Sequence, residues 1–599
     1  MNDFLLTPAA SGLKPDGTPS WLKNAFRFGD YILQYDGPGP EFYGETGVYI
    51  NGYILPRNKI FNDYAETDQY RTIASLYAKF GKEFISYIKG YFVIIIFING
   101  NIDVYFDQTG LFRAFYVKKN REIFISGSVN LLMKAGINPE FDDVSLCLQS
   151  LFHRVPLHYT VFRGISKTVY GDYFLIQKAG VTHGKHWKPG DLLEGNTAGK
   201  SPGIKEFAEL FRENLGNFNL YLKPDNHYIT LTGGKDSRTI LAALLRSGIK
   251  PAGLTYGDEK SSDAVYSKLL ADACGMKHLT ISPPDTREWF QTEAERIVAT
   301  FNPEINIHRS HRYYAFSKAA ESCPGTTAFY SGYLGGELLA GVFNDDLIFT
   351  DFQTQSCKSG NLSGLNERLS DYFHSYDLSK TVAIKERLEE MRSMDNTYSP
   401  LMKSFYGIFE TGIPHHSQDI FLSATYWRYP YPVFLDTEFL EMLFRSRYNF
   451  LDTANRKPDP FRKYNLYSLN MRIQHLLCPE LDDIPFGKKG SYSTREYLRG
   501  PAYWYAVRGY RYLADSSKYP PSFAYGKSYR EFLNEGLDKT RASKSVIKDI
   551  YDIDRALIKL RQIPGLTSEK FFHRYSNIIM FHILEQKLKD EIQNSHFQK

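Results

Sequence analysis

Cysteine is scarce in this chain. Five residues, Cys147, Cys274, Cys323, Cys357 and Cys478, are scattered through 599. They form no CxxC pair and no Cys/His ligand spacing, so neither a disulfide framework nor a zinc site organises the fold. Long apolar runs are lacking too. The longest, Tyr91 to Ile98, falls far short of a membrane span, and its β-branched content reads as a buried strand. No long Lys/Arg run occurs and the net charge is only +5, which argues against nucleic acid as the main partner. The first residues carry Asp3 and no basic stretch leading into an apolar core. A signal peptide is therefore not expected, no membrane association is expected, and a reducing cytoplasm is the expected compartment. No internal repeat or long low-complexity segment is visible.

What is present is globular. Hydrophobic content of 43% and charged content of 23% are ordinary for a soluble protein, and 599 residues call for about two or three domains. Tyr and Phe are abundant, at 44 and 43 residues, which fills cores or supplies stacking surfaces. From about Arg27 to Trp187, short β-rich runs alternate with glycine turns, and one helical pattern interrupts them over Asp68 to Phe80. This predicts a layered β or α+β domain over residues 1–187. Residues 188–203, rich in Gly, Pro, Ser and Asn, read as a linker.

From Ile204 the pattern changes to helices alternating with short buried strands. Strand Tyr228–Leu231, helix Ser237–Arg246, strand Ala252–Tyr256, helix Asp263–Cys274 and strand His278–Ile281 follow one another. That order predicts a parallel sheet with ligands at the carboxyl ends of its strands, an α/β domain over 204–500. After about Tyr313 the chain reads as mostly helical. Residues 501–599 are Tyr-rich, then amphipathic over Ser545 to Gln562 and Lys570 to Gln593, and predict a helical C-terminal extension.

Within that alternation lies Leu231-Thr-Gly-Gly-Lys-Asp-Ser237, a glycine turn between an apolar strand and a helix. Backbone amides at Gly233 and Gly234, with the Ser237 hydroxyl at a helix start, can grip a phosphate chain. Asp236 can hold the magnesium that accompanies a nucleotide. A tight β–α connection without a ligand accounts for the turn alone. Further segments add to it: Leu254-Thr-Tyr-Gly-Asp258, Tyr330-Ser-Gly-Tyr-Leu-Gly-Gly-Glu337, Arg428-Tyr-Pro-Tyr-Pro-Val-Phe-Leu-Asp436 and Ile484-Pro-Phe-Gly-Lys-Lys-Gly490.

In their order these segments resemble the asparagine synthetase superfamily of ATP-pyrophosphatases, whose members include asparagine synthetases, β-lactam and carbapenam synthetases, and lasso-peptide cyclases. Thr232-Gly-Gly-Lys-Asp-Ser237 matches the family's pyrophosphate loop, usually Ser-Gly-Gly-x-Asp-Ser. Upstream, Thr67-Asp68, Gly90-Tyr-Phe92, Asp107-Gln-Thr-Gly110, Ile125-Ser-Gly-Ser128 and Gly184-Lys-His-Trp187 resemble its glutamine amidotransferase domain. The resemblance implies an Ntn-hydrolase-like layered β domain followed by a PP-loop domain of the adenine nucleotide alpha hydrolase type. It implies ATP and Mg²⁺ as cofactors. A small-molecule or peptide carboxylate and an amine would be the substrates, with a homodimer left open.

The resemblance also implies a site. Leu231, Thr232, Gly233, Gly234, Lys235, Asp236, Ser237, Thr255, Ser331 and Gly332 would bind the nucleotide, and Asp236 and Glu337 the metal. Lys488 or Lys489 would stabilise the oxyanion formed when the amine attacks. Tyr333 joins them as a catalytic candidate. It stands where asparagine synthetases carry a glutamate and β-lactam-forming relatives a tyrosine.

The departures are equally specific. The family's metal-binding segment, Ser-Gly-Glu-Gly-x-Asp-Glu, becomes Ser331-Gly-Tyr-Leu-Gly-Gly-Glu337, with Gly336 at the acidic position and Glu337 one place later. The amidotransferase nucleophile, a cysteine exposed by Met removal, is Asn2 here, and the family's Asn-Gly-Glu becomes Asn51-Gly-Tyr53. Without a thiolate there is no activated nucleophile, so glutamine hydrolysis is not expected. The expectation is an AMP-forming carbon–nitrogen ligase; the rivals are an asparagine synthetase proper and a non-catalytic nucleotide-binding homologue. Lys235 would lie beside the phosphates or in an exposed turn, and Arg238 could face phosphate. His308, His311 and Arg312 fall in a region that approaches substrate in relatives. His415-His416 lacks further ligands at metal spacing, and Asp436 reads as structural.

Overall fold

The apolar run beginning at Tyr91 is buried on both faces, and that sets the architecture of the first 193 residues. The computed structural model describes residues 3–9, 22–152, 155–193, 201–301, 304–340, 382–384, 386–387, 409, 418–449, 461–487, 490–514, 519–520, 522–523, 526–562 and 569–597. Its amino-terminal strands are β1 (Phe4–Pro8), β2 (Asn24–Phe28), β3 (Tyr31–Tyr35), β4 (Glu41–Tyr43), β5 (Thr46–Pro56), β6 (Ile88–Ile98) and β7 (Asn101–Phe106). They continue with β8 (Phe115–Lys119), β9 (Glu122–Ser126), β10 (Glu140–Phe141), β11 (Phe162–Arg163), β12 (Ser166–Lys167), β13 (Asp172–Gln177) and β14 (Gly180–Lys185). One six-stranded antiparallel sheet runs β12-β8-β9-β1-β3-β2 and the other β14-β13-β7-β6-β5-β4. Asn99-Gly100, both with positive φ, closes the β6–β7 hairpin, a turn whose twist matches that of its strands.

Side-chain alternation then builds layers. Tyr91, Val93 and Ile95 pack with Phe4, Leu6 and Leu33 of the facing sheet. Phe92, Ile94 and Ile96 pack with Ile73 and Leu76 of helix α1 (Gln69–Phe80). The outer face of the first sheet, Leu5, Phe115 and Phe124, is covered by α2 (Val129–Lys134) and α3 (Asp143–Phe152). The result is helix, sheet, sheet, helix. The predicted layered β domain is present, with α1 capped by the Asp68 carboxylate, which accepts from the Arg71 N–H at 2.9 Å.

The second architecture is a five-stranded parallel sheet made of β15 (Asn226–Thr230), β16 (Ala252–Tyr256), β17 (His278–Ile281), β18 (Thr327–Ser331) and β19 (Tyr429–Pro432). Its spatial order is β17-β16-β15-β18-β19. The chain moves outward from β15 through β17, then returns to the other side of β15. The order therefore reverses between β15 and β18, and a crevice opens beyond their carboxyl ends. Helices α4 (Ile204–Leu222), α5 (Lys235–Arg246), α6 (Ser262–Ala273), α7 (Arg287–Phe301), α8 (Ser310–Glu321) and the short α9 (Gly335–Ala340) accompany these strands. So do α10 (Ser468–Leu477) and α11 (Pro501–Ala514).

Two strands, β18 and β19, interrupt the stretch after Tyr313 that reads as mostly helical. Pro430 and Pro432 mask β19 in the sequence, since neither can donate to a ladder. The strand survives because, among the described residues, it is an edge paired only with β18.

The two architectures meet at a buried ion cluster. Lys89 of β6 donates to Asp436 (2.8 Å), Glu438 (2.6 Å) and Asn214 Oδ1 (2.9 Å). Asp436 also accepts from the Glu438 N–H (3.0 Å) and the Tyr431 hydroxyl (2.7 Å), which is a structural role. The carboxyl-terminal residues pack against both parts. In α12 (Lys527–Ala542), Phe532 and Leu533 share a core with Phe290, and in α13 (Glu569–Phe597), Ile578 and Phe581 share it with Leu146. The Tyr551 and Ser150 hydroxyls meet at 2.7 Å. No helix among the described residues is long and apolar enough to cross a membrane.

Candidate functional site at the carboxyl end of the parallel sheet

Residues 231–234 link β15 to α5 at the point where the strand order reverses. Leu231 is buried, and its carbonyl accepts from the Thr255 hydroxyl at 2.7 Å. That hydroxyl also meets Ser267 Oγ (2.8 Å) and His278 Nε2 (3.0 Å), so Thr255 anchors the start of the loop from within the sheet. Thr232 closes the turn. Its Oγ1 accepts from the Gly234 N–H at 3.1 Å and lies 3.4 Å from Ser237 Oγ. The Gly233 N–H donates to Asp263 Oδ1, at the start of α6, at 3.3 Å. One amide of the loop is therefore already aimed at an anionic oxygen.

Two further segments close on this loop because glycines let the backbones touch. A Cβ on Gly233 would lie 2.8 Å from Gly487 Cα, and the Gly487 N–H donates to the Gly233 carbonyl at 3.0 Å. A Cβ on Gly332 would lie 2.9 Å from the Ser237 nitrogen. Ser331 ends β18, Tyr333 is half-buried beside the core, and Leu334 takes φ +59°, the left-handed region that favours glycine.

Asp236 sits among these segments. A Cβ on Gly335 would lie 2.8 Å from Asp236 Oδ1, and one on Gly336 3.7 Å from Oδ2. Its Oδ1 accepts from Asn470 Nδ2 of α10 at 2.7 Å. Glu337 faces the same region: burial, joined by the charge of Asp236, pushes its carboxyl up to about 7. The structure thus brings Asp236 and Glu337 together. Among the described residues there is no group of three or more His, Cys, Asp or Glu that could hold a metal ion.

Two cations of this segment have aromatic partners. The Lys235 ammonium is 3.8 Å from the Tyr467 ring centroid and within 6 Å of Phe486 (5.7 Å) and Tyr492 (5.9 Å). It is not an exposed turn lysine; the Tyr467 face is its nearest aromatic partner. Arg238, which could have faced phosphate, is fully buried in α5. It donates to the carbonyls of Ile484 and Pro485 (the latter at 2.9 Å) and stacks 4.0 Å from the Phe486 centroid. Burial pushes its guanidinium down to about 9.

Lys488, Lys489, His415 and His416 lie outside the described residues. Gly487, which precedes the two lysines, is bonded to the Gly233 loop as described above. His308 and His311 are buried at the start of α8, with His311 stacked on Phe523 at 4.5 Å and Arg312 5.2 Å from the Tyr256 ring. The residue that sequence reasoning missed is Asn470. Its signal was a polar side chain among the apolar positions Leu469, Met471 and Ile473 of α10, all buried.

No protein-family model matches this chain. No curated protein matches it either. Among solved structures, the glutamine phosphoribosylpyrophosphate amidotransferase from B. subtilis complexed with ADP and GMP is similar at 10% identity and a TM-score of 0.21. The match covers 55% of this chain and 75% of that one. A structure described as that of the allosteric regulatory enzyme of purine biosynthesis is similar to the same extent, with identical identity, coverage and TM-score. Likeness at that level assigns neither fold nor function.

Proposed function

We propose that the crevice binds ATP with Mg²⁺ and that the protein is an amide-forming ligase of the asparagine synthetase type, built on a PP-loop domain. One observation carries this reading: the Thr232–Ser237 loop lies where the strand order reverses, with Asp236 set against Glu337. In the first reaction a substrate carboxylate oxygen attacks the α-phosphorus of ATP, the α–β anhydride bond breaks, and pyrophosphate leaves. An amine then attacks the acyl carbon, loses a proton, and AMP departs. Neither step needs a protein nucleophile, so the work is positioning and charge neutralisation.

The Gly233 and Gly234 amides and the Ser237 hydroxyl are proposed to hold the departing pyrophosphate, whose oxygen takes the place of the Asp263 carboxylate at Gly233. Tyr333, on the turn after β18, is proposed to contact the reacting acyl group, and Lys488 or Lys489 to stabilise the second-step oxyanion. Two facing carboxylates suit Mg²⁺, which takes one or two carboxylates plus phosphate oxygens and keeps several waters. Bound between Asp236 and Glu337, it would neutralise phosphate charge.

The amine is proposed to be part of a small molecule or peptide, not ammonia released from glutamine. Tyr53, where the family motif has glutamate, supports this, because its hydroxyl is committed to Pro430. A cytoplasmic setting goes with the same reading. The Asp263–Gly233 contact favours the rival reading, a non-catalytic homologue.

The deciding experiment is carboxylate-dependent ATP–pyrophosphate exchange over a panel of amino acids, peptides and sugar acids. Exchange is expected with at least one class and should vanish in Asp236→Ala. Exchange surviving that change sinks the Asp236 assignment, and absence of both exchange and AMP across the panel supports the rival.

A further inference from the structure

Asn470 lies 234 positions from Asp236 in sequence, yet its side-chain nitrogen donates to Asp236 Oδ1 at 2.7 Å. A carboxylate can only accept, so the amide must present its NH₂ group there. Its oxygen, on the same carbon, takes no part in that bond. That Oδ1 is buried and has no hydrogen-bond partner among the described residues, and the residue is only 6% exposed. A buried acceptor left without a donor is costly, and native structures keep such groups where something else satisfies them.

The surroundings indicate what that is. Asp236, which this amide contacts, and Glu337, which feels the Asp236 charge, carry the charge that balances a divalent cation, but they supply few donor atoms. No third His, Cys, Asp or Glu completes a cluster among the described residues. Hard cations accept neutral carbonyl oxygens, including those of Asn, beside carboxylates. Gly336, where a Cβ would lie 3.7 Å from Asp236 Oδ2, offers no side-chain donor. The α10 helix brings Asn470 to the same carboxylate. Its neighbours Leu469, Met471 and Ile473 are buried, which fixes the amide in place.

We propose that Asn470 is a cation ligand of this site, its Oδ1 completing an all-oxygen donor set with Asp236 and Glu337. This rests on the reading of the crevice as a nucleotide and magnesium site. It goes beyond that reading by assigning the missing donor to a residue from a different segment of the chain. The NH₂ group has a second task, holding the Asp236 carboxylate in place.

The test is Mn²⁺ binding to the full chain, followed by electron paramagnetic resonance with and without α,β-methylene-ATP. Asn470→Leu keeps the size and removes both polar atoms. It is expected to weaken Mn²⁺ binding by about 10-fold or more, the usual range for losing a ligand or its support, and to lower the cation-free melting temperature by no more than the lost hydrogen bond to Asp236 accounts for. Asn470→Cys separates ligand from support. A thiol within reach of the cation gives Cd²⁺ a thiolate charge-transfer band in the ultraviolet, because soft cations favour sulfur. Over the background of the chain's own free thiols, that band should be an increment absent from wild type and lost again in the Asp236→Ala/Asn470→Cys double variant.

Mn²⁺ binding in Asn470→Leu as tight as in wild type overturns the inference. So does weakened binding with no added Cd²⁺ band in Asn470→Cys, which would leave Asn470 a mere support for Asp236. If Asn470→Leu does not fold, the cysteine variant alone decides. Failure of the underlying reading looks different: Asp236→Ala then binds Mn²⁺ as well as wild type does, or wild type binds none.

Discussion

The Tyr53 hydroxyl donates a 2.8 Å hydrogen bond to the Pro430 carbonyl, joining the amino-terminal sheet to the edge strand of the parallel one. The Tyr53 ring also meets Phe218 and Tyr429 edge-on, at 5.6 and 5.8 Å. β19 presents its unpaired edge to the amino-terminal domain, so a side chain from that domain does what a further strand would do. Tyr53→Phe should cost about 1–2 kcal/mol by leaving that buried carbonyl without a donor. Tyr53→Glu should cost more, since it buries a carboxylate near Asp436. Denaturant midpoints followed by probes in each sheet will read both. Neither variant should release glutamate from glutamine.

Glu337 should make stability and, on the proposed function, cation binding depend on pH in opposite directions. Its carboxyl rises from 4.5 to about 7 in the folded chain. Between those values the native state holds a proton that the unfolded state has released, so this contribution to stability is full below about 4.5 and is lost as pH climbs to about 7. Cation binding needs the ionised form, so apparent Mg²⁺ affinity should rise with pH until about 7 and then level off, with proton release on binding. The measurement is the difference between wild type and Glu337→Gln in melting temperature across that pH window without divalent cations. Equal slopes for the two chains would refute the assignment.

Arg238 should separate the two half-reactions. It holds the Ile484 and Pro485 carbonyls and stacks on Phe486, directly before the Gly487 contact with the loop. Arg238→Met should cost about 2–3 kcal/mol from the lost charged hydrogen bonds and should loosen the segment that leads to Lys488. ATP–pyrophosphate exchange should persist while amide formation slows. Arg238→Lys should not rescue it, because an ammonium cannot reproduce the guanidinium fork. Equal loss in both half-reactions would place Arg238 under the nucleotide instead.

Much of the architecture was legible in the residues because it follows local rules. Alternating apolar positions marked β5 to β9, Asp68 marked the start of α1, and β16 and β17 were read with the bounds the structure has. The segment Gly233-Gly-Lys-Asp-Ser237 announced a strand-to-helix turn with an anion-gripping capacity, since glycine spacing and a helix start are local properties. β19 was not legible, because two prolines argue against a strand unless its position as an edge is known. The rotation of α5 that buries Arg238, and the aromatic partners of Lys235, were equally hidden. Both depend on residues near 467–492 that are distant in the chain.

By itself, then, the sequence determined the elements, the loop and the chemistry of its side chains, because periodicity and turn composition act over a few residues. Only the tertiary structure decided which groups share one space. The reversal of strand order between β15 and β18 sets Gly332 and Gly335 against Asp236, and α10 delivers Asn470 to the same carboxylate. Contacts of that kind come from how helices and strands pack across hundreds of residues, and no local pattern encodes them.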